Sequence, residues 1–171
     1  HQRQQRDIQR PVAPAPQTED EPREEGRRGR RGGRLGQAAP TRVYEFKVYC
    51  LDRETGNVVW EKVANKAVPH EGLHATNTYA SASPITDGKH LWVFFGSYGL
   101  YCYDLDGNEI WQRDLGDMRT RNGFGEGASP ALYEETLVVN WDHEGQSFIT
   151  ALDALTGDDK KTVAGWRTAN T

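Results

Sequence analysis

Val48–Lys62 reads VYCLDRETGNVVWEK, Leu100–Arg113 reads LYCYDLDGNEIWQR, and Ile149–Lys161 reads ITALDALTGDDKK. Aligned on Asp52, Asp104 and Asp153, these are three copies of one unit, spaced by 52 and 49 residues. Before the Asp, bulky apolar residues alternate, the period-2 sign of a strand with a buried face. After it come a short polar stretch and a glycine, Gly56, Gly107 or Gly157. Such a turn uses the Asp carboxylate to accept backbone N–H groups and the Gly to take positive φ. The next strand carries Trp60 or Trp111 at equivalent places, and a Trp recurring once per unit suits a wedge between neighbouring sheets. These Asp and Gly residues therefore read as turn formers and the two Trp as packing residues, without a catalytic role.

A second element recurs upstream of the later two copies: ASASPITDGKHLWVFFG from Ala80 and GASPALYEETLVVNWD from Gly127. Its pairs Ser83-Pro84 and Ser129-Pro130 lie 46 residues apart. The residue before a proline is biased towards extended chain, and LWVFFG and TLVVNW each supply a further strand. Four short antiparallel strands per roughly 50 residues is the pattern of a β-propeller blade. The expected fold is all-β, a partial propeller of about two to three blades preceded by a disordered arm. Expected strands are 43–51 and 57–63 in blade one, and 80–86, 90–96, 99–104 and 108–114 in blade two. Blade three is expected at 127–132, 136–141 and 147–153. Trp92 and Trp141, on second strands, are expected to pack between sheets.

Composition sets the domain boundaries. Residues 1–40 hold nine Arg and six acidic residues, a net charge of +3, and Ile8, Val12 and Leu35 as the large aliphatics. A segment this poor in apolar surface cannot offset its ordering entropy, so residues 1–42 are expected to form an Arg/Pro/Gly-rich arm that does not pack on the blades. The remainder holds all the Trp, Tyr and Phe, with 12 basic and 19 acidic residues, a net charge of −7. An acidic globular part makes nucleic acid an improbable partner, and the run Arg27–Arg34 reads as a solvated linker. No apolar stretch approaches the length of a membrane span, about 20 residues. Blades occupy 43–171, with 158–171 off-pattern: Lys161 stands where a third Trp is due, and DDKKTVAGWRTANT does not read as a fourth strand followed by a new blade.

The repeat [hydrophobic]-[YTF]-[AC]-[LY]-D-x-x-[TD]-G-x-x-x-W resembles the tryptophan-docking motif of PQQ-like β-propellers over about 43–157. That superfamily holds quinoprotein alcohol dehydrogenases, BamB-type outer-membrane assembly lipoproteins and large bacterial envelope proteins. The resemblance implies a secreted parent in the periplasm or cell envelope, its signal peptide lying outside this chain. With two to three blades against about four to eight in a closed ring, the chain reads as a fragment whose partners are the other blades and an envelope protein. The expected function is a non-catalytic protein- or ligand-binding scaffold; the alternative is a fragment of a PQQ-dependent alcohol or sugar dehydrogenase. For the second, the resemblance implies PQQ and calcium in the parent, in a pocket with adjacent cysteines and with Glu, Asn and Asp on the calcium. Cys50 and Cys102 are not adjacent but occupy equivalent strand positions, as small buried hydrophobes. No cofactor is expected in this segment.

Alternating strand direction sorts the loops. Links between blades and the turns between second and third strands share one face, which nominates 64–79, 115–126 and 141–146. The candidate ligand face is accordingly His70, Glu71, His74, Arg119, Arg121, Asp142, His143 and Glu144. His-Glu-Gly occurs twice, at His70 and His143, and imidazole–carboxylate mixtures suit divalent metals. His70-Glu71-x-x-His74 spells HExxH, but that motif needs a helix to aim both His at one metal. Pro69 and Gly72 leave no room for one, so neither a metal nor a catalytic residue is assigned.

Overall fold

A computed structural model describes residues 37–164. The expected arm up to residue 36, and the tail beyond 164, lie outside the described residues. Blade one contributes an antiparallel pair, β1 (Tyr44–Leu51) and β2 (Val58–Ala67). Blade two is a four-stranded antiparallel sheet of β3 (Ile85–Thr86), β4 (His90–Phe94), β5 (Leu100–Asp104) and β6 (Glu109–Arg113) in sequential order. Blade three repeats it with β7 (Ala131–Tyr133), β8 (Thr136–Trp141), β9 (Phe148–Asp153) and β10 (Asp159–Ala164). The only helical pieces among the described residues are 3₁₀ turns at Gly96–Tyr98 and Arg121–Gly123. The fold is all-β, a partial propeller.

Three expectations need correction. The off-pattern tail does form a fourth strand: β10 pairs with β9, and Thr150 and Thr162 share a hydroxyl hydrogen bond of 2.9 Å. Its sequence hides this because every residue of β10 is exposed, so the strand is held by its main-chain ladder and shows no apolar alternation. The first strands are shorter than expected, two and three residues. The preceding prolines lack an N–H, and the Ser83 amide donates to Ser129 Oγ of the next blade (2.9 Å) instead of to a ladder. Finally, the arm is not wholly clear of the blades. The Gln37 amide donates to Leu73 O at 3.0 Å, and a side chain at Gly72 would collide with Gln37 O.

Blade two is apolar on both sides. Leu91, Val93, Tyr101 and Tyr103 meet Phe46 and Val48 of blade one. Trp92, Phe94, Leu100 and Cys102, pointing the other way, meet Leu137, Val139, Trp141 and Leu152 of blade three. Burial pushes the Cys102 thiol up to about 12, which makes it an inert packing group. Each third-to-fourth strand hairpin carries the same bulge: Cys50 faces Trp60, Cys102 faces Trp111 and Ala151 faces Lys161, one residue being skipped each time. The bulge turns Trp60 and Trp111 towards the following blade.

Each Trp lands on the next blade's Asp–Gly turn. Trp60 Nε1 donates to Leu105 O (2.9 Å) and Trp111 Nε1 to Ala154 O (3.0 Å). Trp92 Nε1 donates to Ala154 O as well, at 2.8 Å. The turns are fixed by their carboxylates: Asp52 Oδ1 accepts from the Thr55 amide at 2.8 Å, Asp104 Oδ1 from Asn108 at 2.8 Å, Asp153 Oδ1 from Leu155 at 2.9 Å. These hydrogen bonds hold all three carboxyls below their usual range. A Cβ on Gly107 would lie 2.8 Å from the Trp60 ring, and one on Gly157 2.9 Å from the Trp111 ring; at Gly56 it would meet nothing. Because the rings lie on the neighbour's turn, Trp60 and Trp111 are half-buried rather than fully enclosed.

All three glycines have left-handed backbone, φ 72°, 82° and 76°. Gly56→Ala is expected to cost only that conformational penalty, about 1–2 kcal/mol. Gly107→Ala and Gly157→Ala should each cost about 1–3 kcal/mol more, from displacing a packed indole. Urea unfolding measures both, and a Trp60→Leu background should remove the excess at Gly107 but not the cost at Gly56.

Candidate functional site

The nominated loops meet along one stretch, Asp117–Thr120, in the link from β6 to β7. From one side, His70 Nε2 donates to Met118 O (2.8 Å), and its Nδ1 lies 3.2 Å from the Tyr98 hydroxyl. Glu71 Oε2 accepts from the Thr120 amide (2.8 Å) and hydroxyl (3.0 Å). From the other side, His143 Nδ1 accepts from the Arg119 amide (3.1 Å), and the Glu144 amide donates to Arg119 O (2.8 Å). The two His-Glu-Gly loops thus clamp one three-residue stretch, Met118–Thr120, the first at its ends and the second at Arg119, and they do so by satisfying link backbone groups that a strand would otherwise pair.

The other candidate side chains do not join this clamp. His74 turns away: its Nδ1 accepts from Thr76, and its ring stands edge-on to Phe124 at 5.4 Å. The HExxH letters therefore lie in a non-helical loop whose two imidazoles have separate partners. Asp142 accepts from Ser147 Oγ at 3.1 Å within its own loop. Arg119 and Arg121 are exposed, and Arg121 opens a 3₁₀ turn. Among the described residues no group of three or more His, Cys, Asp or Glu is arranged to hold a metal ion.

A further half-buried carboxylate of this face, Glu126, was not among the candidates. Glu126 accepts from the Ser97 amide (2.7 Å) and hydroxyl (2.5 Å), while Ser97 Oγ accepts from the Met118 amide (2.7 Å). It fills the space over Gly96, where a Cβ would strike its carboxyl. Ser97 and Tyr98 belong to the turn between β4 and β5, which the loop sorting places on this face although the nominated segments omit it. Glu126 closes the nominated segment 115–126 and carries no motif of its own. Glu71, Tyr79, Tyr98, Thr120 and Glu126 line a cavity of about 20 Å³, room for a single water molecule, which needs about 10–15 Å³.

That geometry bears on the quinone and calcium that the resemblance implies. Cys50 and Cys102 sit on successive blades, and both are buried. Glu71 Oε2 and both oxygens of Glu126 accept from link and turn donors, and the space between the two residues admits a water and not a ring system.

Two outcomes follow. Burial raises the Glu126 carboxyl above its usual range, against the opposing pull of the Ser97 hydrogen bonds. A group raised on folding contributes stability that is complete below its unfolded value, about 4.3, and is lost as pH rises through its folded value. Glu126→Gln lacks that slope, so its stability relative to wild type is expected to climb from pH 4 towards neutrality in urea titrations. Glu71→Ala, which strands the Thr120 amide, is expected to cost about 1–3 kcal/mol and to speed amide exchange at Thr120. Glu71→Gln, keeping an acceptor oxygen, should cost less.

No curated protein matches the chain. Among solved structures, BamB from Moraxella catarrhalis superposes with TM-score 0.42 at 20% identity, over 71% of this chain and 32% of that one. A europium-containing methanol dehydrogenase gives TM-score 0.47 at 13% identity, over 71% of this chain and 22% of that one. The quinohemoprotein alcohol dehydrogenase from Comamonas testosteroni gives 0.46 at 15% identity, over 77% and 21%. The chain thus spans a third or less of the length of these structures. The family model described as outer membrane protein assembly factor BamB matches residues 17–170, including most of the arm and the tail that the repeat pattern leaves out. The chain belongs to that family of PQQ-like propeller proteins.

Proposed function

We propose that this chain contributes blades to a larger propeller of the bacterial cell envelope, and that the propeller is a non-catalytic scaffold presenting its loop face to a protein partner. One observation carries the reading. His70, Glu71 and His143, the side chains best suited by type to ligand chemistry, are committed to fixing the backbone of Met118–Thr120. Such bracing supports a preorganised surface, on which a partner is bound without first ordering the loops. The exposed residues that this link and the β8–β9 turn beside it present outward include Arg119, Arg121 and Glu144. Family membership supports an envelope setting, since the matching model is described as an outer-membrane assembly factor.

A photo-crosslinking residue placed at Arg121 or Glu144 of the complete polypeptide is expected to give discrete adducts with an envelope protein. The same residue at Asp106, on the opposite turns, should give none; equal adducts from both faces would remove the loop face from consideration. In parallel, the polypeptide should show no saturable binding of PQQ with calcium and no dye-linked alcohol oxidation. Quinone-dependent turnover abolished by chelating calcium would replace the scaffold reading with the dehydrogenase one.

A further inference from the structure

The face of blade three that points away from blade two is built differently from the faces that make the two joints. In blade two the corresponding cross-strand row is Ile85, Trp92, Cys102 and Trp111, and it packs into blade three. In blade three the same row reads Ala131, Val138, Ala151 and Lys161. One step along, Phe94, Leu100 and Arg113 become Asn140, Ile149 and Val163. Two indoles and a phenyl have given way to an isopropyl group, an ammonium and a carboxamide.

The change has an order to it. In both joints a Trp is followed two residues later by a cation that also reaches the next blade. The Lys62 stem lies against Gly107 beside Trp60. Arg113, beside Trp111, donates to Gly157 O (2.7 Å) and to the Asp159 carboxylate (3.2 Å). Blade three keeps one apolar residue and one cation but exchanges them: Lys161 takes the docking position and Val163 the cation's. Lys161 is exposed, and Ile149 and Val163 stand open beside it at 36% and 52% exposure.

We propose that this face docks a further blade through an ion pair in place of an indole. Lys161 would meet a carboxylate side chain on that blade's turn between its third and fourth strands, while Ile149 and Val163 supply a reduced apolar contact. The partner's chemistry follows from the space involved. Trp60 and Trp111 forbid a Cβ on the turn beneath them, whereas an aliphatic stem ending in an ammonium leaves that volume open to a side chain. Arg113 with Asp159 shows a cation of one blade already paired with a carboxylate of the next. The occupant, a blade of the same polypeptide, rests on the larger-propeller reading above.

The test uses melting of the complete polypeptide. Lys161→Glu is expected to lower Tm by on the order of 2 °C, through like-charge repulsion. Lys161→Trp is expected to lower it as well, because an indole loses the ion pair and meets a side chain where the other joints offer glycine. Wild type's margin over Lys161→Met should shrink at high salt as the pair is screened. A rise in Tm for Lys161→Trp would overturn the proposal, since it would reveal an ordinary glycine turn in the joint. An unchanged Tm for Lys161→Glu would overturn it too, by showing that no carboxylate covers the face. A complete polypeptide with no blade beyond these three would sink the larger-propeller reading itself, whereas an unchanged Tm in one that has further blades sinks only the ion pair, so the two failures are distinguishable.

Discussion

The indole N–H of Trp60 reaches across to Leu105 O, and that of Trp111 to Ala154 O. In each case the ring rests on a turn that only glycine can complete. A two- or four-stranded sheet of short strands cannot bury its faces alone. It is stable only against a neighbour, and the indole determines how far apart and at what rotation the neighbour sits. The supporting details serve that contact: the bulge that aims the Trp, the Asp carboxylate that holds the turn, and the left-handed glycine beneath the ring.

A second layer of order lies on the face where blades are linked. The links between blades are long and cannot use the sheet ladder, so their amides and carbonyls need other partners. Polar side chains from neighbouring loops provide them: His70 for Met118, Glu71 for Thr120, His143 for Arg119, and Glu126 through Ser97. Clusters of His and Glu that suggest a ligand centre in one dimension are, in three, a frame around a loop. The same frame stabilises a surface, which is the physical link between this chemistry and a binding role.

Joints of this kind are modular, and the three blades differ where modularity is relaxed. Blade two is apolar on both sides because it has indole-type joints on both sides. Blade three is apolar towards blade two and mixed on its other side. In a repeat protein, where each unit contacts only its neighbours, such a difference is local in cost and leaves the preceding joints undisturbed.

The sequence by itself determined the blade, because the signals for it are local. Alternation in LYCYD, the Asp and Gly of each turn and the recurring Trp need only neighbours along the chain to be interpreted. It also determined which loops share a face, since antiparallel strands must alternate direction. β10 escaped because an outer strand exposed along its length carries no apolar period, and the first strands were overdrawn because what Ser83 bonds to lies 46 residues away. What the polar loop residues do was decided only by the tertiary structure. Whether His70 faces a metal or Met118 O, and whether Glu126 is solvated or packed over Gly96, depends on segments brought together from different blades. No spacing within one loop encodes that contact, because its two halves are joined only by the docking of sheets.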